Sequence, residues 1–518
     1  MTETTSMASA RIAALPMSPS IGFRCIALRN RSLTVSNVTL YAIVALVCLV
    51  CDLLLPGRAG LAVSASAFLV WSMWLVNREK KAALLALNPI VCYQGWQVAT
   101  LAVAPLYIAL SSEPGAGVPF GNYNLSLEVI AYGHAVMVVG SWAFYAGMKR
   151  FQPREARSEA TGRWGAPGAS LLIATAIGVA FHWGNEVITT FTGSTVVQLS
   201  LLPLAVLCMV ALNPPRALRR YGKAQFVVLL LGSAGVLLLN ARRDSKMDLM
   251  FSFLPVVWWA VSRNKRTTMA IIGLGLAAFY LGVIAPLVTS MRNSVARYER
   301  GAVHVLTPGV TERATDTMKG AFSSDPGAYI ETWLDTTMNR MCDPCAAAMV
   351  ATLAHNNGFL RGQGLDYVPM AFIPRALWRD KPLIDRGRNF TTALGWAADP
   401  SVATTSTGQT SAGELYWNFG WFGVVIGMYL LGAAIAGCWW GAAGPDPRRG
   451  LLEMTAYTGA MLSFILGSGS AAGGAFVGAI SAGLFWRAAI AVRDTGVLHK
   501  VNKSRAAELS LRPIYPCE

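Results

Sequence analysis

The run VSNVTLYAIVALVCLVCDLLL, residues 35–55, decides the class of this protein. At ~1.5 Å of rise per residue it reaches ~30 Å as a helix, the thickness of a bilayer's hydrocarbon core. Backbone polar groups in lipid must be satisfied internally, which leaves helices or closed barrels. The run lacks the apolar–polar alternation of a barrel strand, so it reads as a helix. Comparable runs follow at 59–77, 84–110, 125–148, 167–185, 194–212, 224–241, 246–262, 267–290, 412–439, 451–468 and 472–492. The expected fold is an all-α polytopic integral membrane protein with about twelve transmembrane helices. Composition agrees, because 54 % of the 518 residues are hydrophobic and only 14 % are charged.

The formal net charge of +16 invites a nucleic-acid reading, and its distribution argues against one. Arg78, Lys80 and Lys81 follow span two, and Lys149, Arg150, Arg154, Arg157 and Arg163 follow span four. Arg216, Arg219, Arg220 and Lys223 follow span six, Arg263, Lys265 and Arg266 span eight, and Arg448 and Arg449 span ten. Every second connection is basic, the pattern of cytoplasmic loops. Both termini are then expected in the cytoplasm, with residues 1–34 and 493–518 as tails. The first of these carries Arg11, Arg24, Arg29 and Arg31 ahead of a run too long for a signal-peptide core, so it reads as a tail and anchor. The basic excess needs no acidic partner beyond lipid headgroups, and no nucleic acid.

The opposite connections are nearly free of Lys and Arg, with two exceptions. One is NARRDSKMD, 240–248, which places Arg242, Arg243 and Lys246 where the charge rule disfavours them. The other is the long segment 291–411, which divides nine spans (35–290) from three (412–492). An extracytoplasmic connection of that length is usually functional. It holds twelve basic and eleven acidic residues, yet 361–388 holds six basic and three acidic. Within it FIPRALWRDKP, 372–382, joins Arg375, Arg379 and Lys381 to Trp378, a residue type favoured at the membrane interface. Arg292 and Arg297 lie just past span nine, and Arg388 closes the basic stretch. A guanidinium binds phosphate through a planar fork, so an outer Arg cluster suits a lipid-linked phosphate or diphosphate. The plainer alternative is an interfacial loop in which these cations pair with Asp380 or Asp385.

Glu414 stands at the expected outer mouth of span ten, in TSAGELYWNFGWFGVVIGMYLLG, 410–432. An ionisable residue there is a functional candidate. It reads either as a general base for a sugar hydroxyl or as a partner for an Arg. Asn418 lies one turn on, among the substrate-binding candidates, and with Gly420 and Gly423 shapes the helix entrance. Cys342 and Cys345 form a CDPC that is open to three readings: a local disulfide, two structural thiols or a redox pair. A zinc site is disfavoured, since no second pair lies near.

PRALWRDKP, GELYWNFGWFG and ARRDSK before a span resemble the bacterial oligosaccharide repeat-unit polymerases, the Wzy-type O-antigen and exopolysaccharide polymerases. The similarity covers about residues 235–435. It implies transfer of a growing glycan from undecaprenyl diphosphate to an incoming lipid-linked repeat unit, at the outer face of the bacterial inner membrane. It implies no metal, no nucleotide sugar and no other cofactor, with a flippase and a chain-length regulator as expected partners. It also implies essential outer arginines, a role that maps onto Arg242, Arg243 and Arg375. An O-antigen ligase shares this architecture but uses a loop histidine, and only His304 and His355 lie in the segment, neither in a recognised motif. A transporter accounts for twelve spans, but not for the long outer segment or for spans that look free of charge.

Overall fold

A computed structural model describes residues 20–79, 89–112, 117–120, 123–151, 168–184, 198–212, 218, 222–240, 252–262, 275, 279, 326–373, 376–378, 380–381, 386–400, 408–443, 472–484 and 487–488. It is α-helical apart from one two-stranded hairpin. Among the described residues, five helices are long and apolar enough to cross a membrane. Four are α1 (Ser20–Leu54), α2 (Gly57–Glu79), α5 (Leu127–Phe151) and α8 (Gly222–Asn240). These fall on spans one, two, four and seven of the sequence reading. The fifth, α13 (Ser411–Ala443), falls on span ten. Spans five, six, eight and twelve correspond to shorter helices: α6 (Gly168–Trp183), α7 (Leu202–Leu212), α9 (Leu254–Ser262) and α14 (472–484). Spans nine and eleven lie almost wholly outside the described residues.

Span three is interrupted. α3 (Pro89–Gln97) passes into a π-helical segment, Val98–Val103, and then α4 (Ala104–Ser111). Such irregular turns concentrate at functional positions.

The body is organised around α5. Of its best apolar window 72 % is buried, against 28 % for α1, whose Ile43, Leu46, Val50 and Leu54 point outward. Glycines at 133, 140 and 147 are seven residues apart, two turns, and so share one face of α5. A Cβ on Gly133 would meet the backbone of Pro344 and Ala348, and one on Gly140 would meet Ala412, Val424 and Met428. One on Gly147 would meet the Tyr429 carbonyl, and one on Gly432 the Phe144 carbonyl. Small residues let helix backbones meet this closely where lipid gives no hydrophobic drive to association. The order of these contacts shows α5 and the later part of α13 running parallel, toward the end marked by Lys149 and Arg150.

The opposite end carries the hairpin β1 (Val118–Phe120) and β2 (Tyr123–Leu125). Trp396 packs on Phe120 and Tyr123, and the Tyr123 hydroxyl donates to the Leu394 carbonyl at 2.7 Å. The short connection after span three and the end of the long segment therefore share one end of the body, as alternating topology requires.

The segment 291–411 is not simply a surface connection. α10 (Pro326–Met341) and α11 (Asp343–Asn357) meet at Cys342, α12 (Arg386–Ala393) follows later in the segment, and α11 is almost wholly buried against α5 and α13. Pro344 in its first turn needs no helical N–H partner. Tyr107 of α4 donates to the Asp335 carboxylate of α10, which ties the pair to the body. Cys342 and Cys345 are unbonded thiols near the α10–α11 junction, buried, with sulfurs 2.7 Å apart.

Candidate functional site

α13 is not one rod. Gly420 sits at φ 61°, ψ −149°, a conformation essentially reserved for glycine. Twelve residues of straight helix would separate Leu415 from Gly427 by ~18 Å, yet the Leu415 side chain packs against Gly427. The helix therefore doubles back. A short arm, 411–419, runs from the level of Gly140 of α5 back to the level of Tyr132, then reverses at Gly420 into a long arm, 421–443. The short arm is ~13 Å long and the long arm ~34 Å, so the long arm alone spans the hydrocarbon.

The reversal strands carbonyls at the end of the short arm, as any helix end does. The turn after α11 takes them up. Leu360 N–H donates to Trp417 O at 2.9 Å and Arg361 N–H to Asn418 O at 3.0 Å. Gly364 N–H donates to Asn418 Oδ1 at 2.9 Å, and Asn418 Nδ2 donates to Glu414 O at 2.8 Å. Arg361 is exposed and held at φ 51°, a left-handed conformation uncommon for a residue with a Cβ. Phe359, Tyr416, Trp421 and Tyr132 pack edge to face around the reversal, and the Tyr132 and Tyr416 hydroxyls lie 2.7 Å apart.

At the other end of the short arm, Thr410 caps the helix, its Oγ1 accepting from Gly413 N–H at 3.0 Å. Glu414 is fully buried. Its Oε1 accepts from Gln409 Nε2 at 2.6 Å, and its Oε2 from Gly473 N–H at 2.8 Å. Gly473 opens α14, where the first amides lack helical partners and favour a carboxylate. Glu414 thus clamps two helix starts together. Glu414, expected at the outer mouth of span ten, lies near the start of the short arm and is closed off by these donors. Tyr367 closes the cluster, its hydroxyl so near Gly473 that a Cβ there would overlap it.

Asn418 is brought into this cluster with Glu414. Trp378, Lys381 and Arg388 are half-buried on the FIPRALWRDKP side. Lys381 Nζ donates to Ile373 O at 2.8 Å and its N–H to Trp378 O at 3.2 Å. Arg375, Arg379, Arg242, Arg243, Lys246, Arg292 and Arg297 lie outside the described residues. Among the described residues no group of His, Cys, Asp or Glu is arranged to hold a metal ion. The sequence reading missed Gln409, Thr410, Tyr367 and Gly473, and it passed over Asp52 and His134, which lie inside spans read as free of charge. No protein-family model, curated protein or solved structure matches the chain.

Two substitutions test the clamp. Glu414→Ala leaves the Gly473 amide and Gln409 without their acceptor, at an expected ~1–3 kcal/mol. Glu414→Gln is milder, because Gln409 can flip its amide to present oxygen to the new donor. Heating the purified variants in detergent should rank them in that order. A Glu414→Gln variant that melts as early as Glu414→Ala would count against the clamp.

Proposed function

We propose that this protein is a glycosyl transferase of the bacterial inner membrane. It polymerises oligosaccharide repeat units carried on undecaprenyl diphosphate at the outer face of that membrane. One observation carries the reading: the chain leading into PRALWRDKP is bonded, through Leu360, Arg361 and Gly364, to the broken helix that begins with GELYWNFGWFG. GELYWNFGWFG, one of the three stretches behind the resemblance to repeat-unit polymerases, is thus bonded to the segment that leads into a second, PRALWRDKP.

In this scheme an acceptor sugar hydroxyl attacks the anomeric carbon of the growing glycan. The bond from that carbon to the diphosphate oxygen breaks, and the hydroxyl proton leaves to a base. Charge grows on the departing diphosphate. Arg375 with Arg242 or Arg243 neutralises it, the kind of preorganised electrostatic help that often dominates catalysis. Lys246, Arg292, Arg297, Arg379, Lys381 and Arg388 supply the surrounding positive field, and Trp378 the interfacial anchor.

The test is the glycan ladder on a gel. Arg375→Ala and Arg242→Ala should collapse it to single repeat units. Losing one charge-assisted phosphate contact costs about 1.5–3 kcal/mol, or roughly ten- to a hundred-fold in rate. Arg→Lys should rescue poorly, because the fork is lost, and Arg379→Ala should be milder. A normal ladder from Arg375→Ala would refute the cradle. Accumulation of repeats on the inner face would favour a transporter, a reading that gains weight from the ionisable pair inside the body.

A further inference from the structure

His134 lies two turns into α5 and is completely buried, and both ring nitrogens face acceptors. Nδ1 is 2.7 Å from Asp52 Oδ2 of α1, and Nε2 is 2.9 Å from the Leu101 carbonyl in the π-helical segment. Ser64 of α2 donates to Asp52 Oδ1 at 2.5 Å. The Phe68 ring meets the imidazole edge-on. Of the other titratable groups nearby, α1 brings Cys48, whose thiol donates to Ser64 O, and Cys51. α2 brings only the Ser64 hydroxyl, and the π-helical segment only backbone and the Thr100 hydroxyl.

The proton count follows from the partners. A carbonyl brings no hydrogen, so the Leu101 contact needs a proton on Nε2. The contact with Asp52 needs one more between ring and carboxylate. Imidazole is the stronger base of the two partners, and the Asp52 carboxylate already accepts from Ser64, so the shared proton rests on the ring. An imidazolium meets all of these demands, whereas a neutral ring on an ionised Asp52 must abandon one acceptor.

We propose that Asp52, Ser64 and His134 form a proton-binding site inside the membrane body, whose ligand is a single proton held as an imidazolium–carboxylate pair. Departure of that proton releases either Asp52 or Leu101. The site thereby controls the hold of α5 on α1 and on the Val98–Val103 segment. Thr100, next to Leu101, faces Asp343 at the start of α11, so release is felt where α11 enters the body. Ionisable residues placed this way inside membrane proteins mark proton pathways and coupled movements. The assignment is independent of the glycan chemistry proposed above.

The experiment uses the full chain in lipid nanodiscs, labelled with nitrogen-15 histidine. At neutral pH the resonances of His134 should show both ring nitrogens protonated. They are assigned by their loss in His134→Gln, or, if that variant does not fold, by replacing His182, His304, His355 and His499. A bare ring nitrogen on His134 in the wild type would overturn the proposal. In Asp52→Asn the ring should become neutral at the same pH; an imidazolium that persists there would also overturn it. Raising the pH until the wild-type ring loses a proton should speed amide hydrogen exchange over 98–103 beyond the intrinsic alkaline increase. Deprotonation without that extra exchange would sink the coupling to the segment.

Discussion

Gly147→Val and Gly432→Val should each abolish recovery of the folded protein. The two glycines form a reciprocal contact, with Gly147 against the Tyr429 carbonyl and Gly432 against the Phe144 carbonyl. A side chain in either position meets backbone, which cannot rotate aside. Overpacking a well-filled interior costs ~1–3 kcal/mol even where neighbours can adjust, and here two helices would have to part. Against a total stability of ~5–15 kcal/mol the loss is decisive. Size-exclusion chromatography of a fluorescent fusion reads it as loss of the monodisperse peak. Gly235→Ala in α8 is the control, because nothing lies within 4 Å of a Cβ built there. A normal peak from Gly147→Val would mean that α5 and the long arm are not packed in this register.

Gly420→Ala should cost nearly as much, by a different route. At φ 61° and ψ −149° an L-residue pays ~1–3 kcal/mol in backbone strain. The new methyl would also stand 3.3 Å from the Phe359 ring. Relief would come from straightening α13, which pulls the short arm from Glu414's partners and from the 359–364 turn. The variant should melt earlier in detergent and, with it, lose the proposed glycan synthesis. An unchanged melting midpoint would show that the reversal is not maintained in the membrane.

Hydropathy alone placed α1, α2, α5, α8 and α13, because each is a long apolar run and lipid admits little else. It could not find the break in α13. Apolar content passes smoothly through WNFGWFG, and only the backbone angles of Gly420 record the reversal. α11 escaped for the opposite reason: DPCAAAMVATLAHNN is too short and too polar at its ends to register as a span, yet it is buried by protein instead of lipid. Its first-turn proline was a legible sign of a helix start. Glu414 and Asn418 were visible as polar residues opening an apolar helix. Their partners were not, since Gly473 and Gly364 contribute through backbone atoms that side-chain chemistry does not announce. The Asp52–His134 pair was hidden by a sequence separation of 82 residues, although a lone carboxylate at the end of an apolar run was a visible clue.

The burial of α5 bears on how the chain is made. Its best window has a mean hydropathy of 1.4, against 2.2 for α1, and its small residues await α11 and α13. Gly432 is synthesised 285 residues after Gly147. At ~5–20 residues per second the glycine face of α5 waits roughly 15–60 s for its permanent neighbour. During that interval α1 and α2 are already in the bilayer, and the grip of Asp52 and Ser64 on His134, with the Tyr41–Ser141 and Trp142–Val38 hydrogen bonds, is at hand to keep the nascent helix from drifting into lipid.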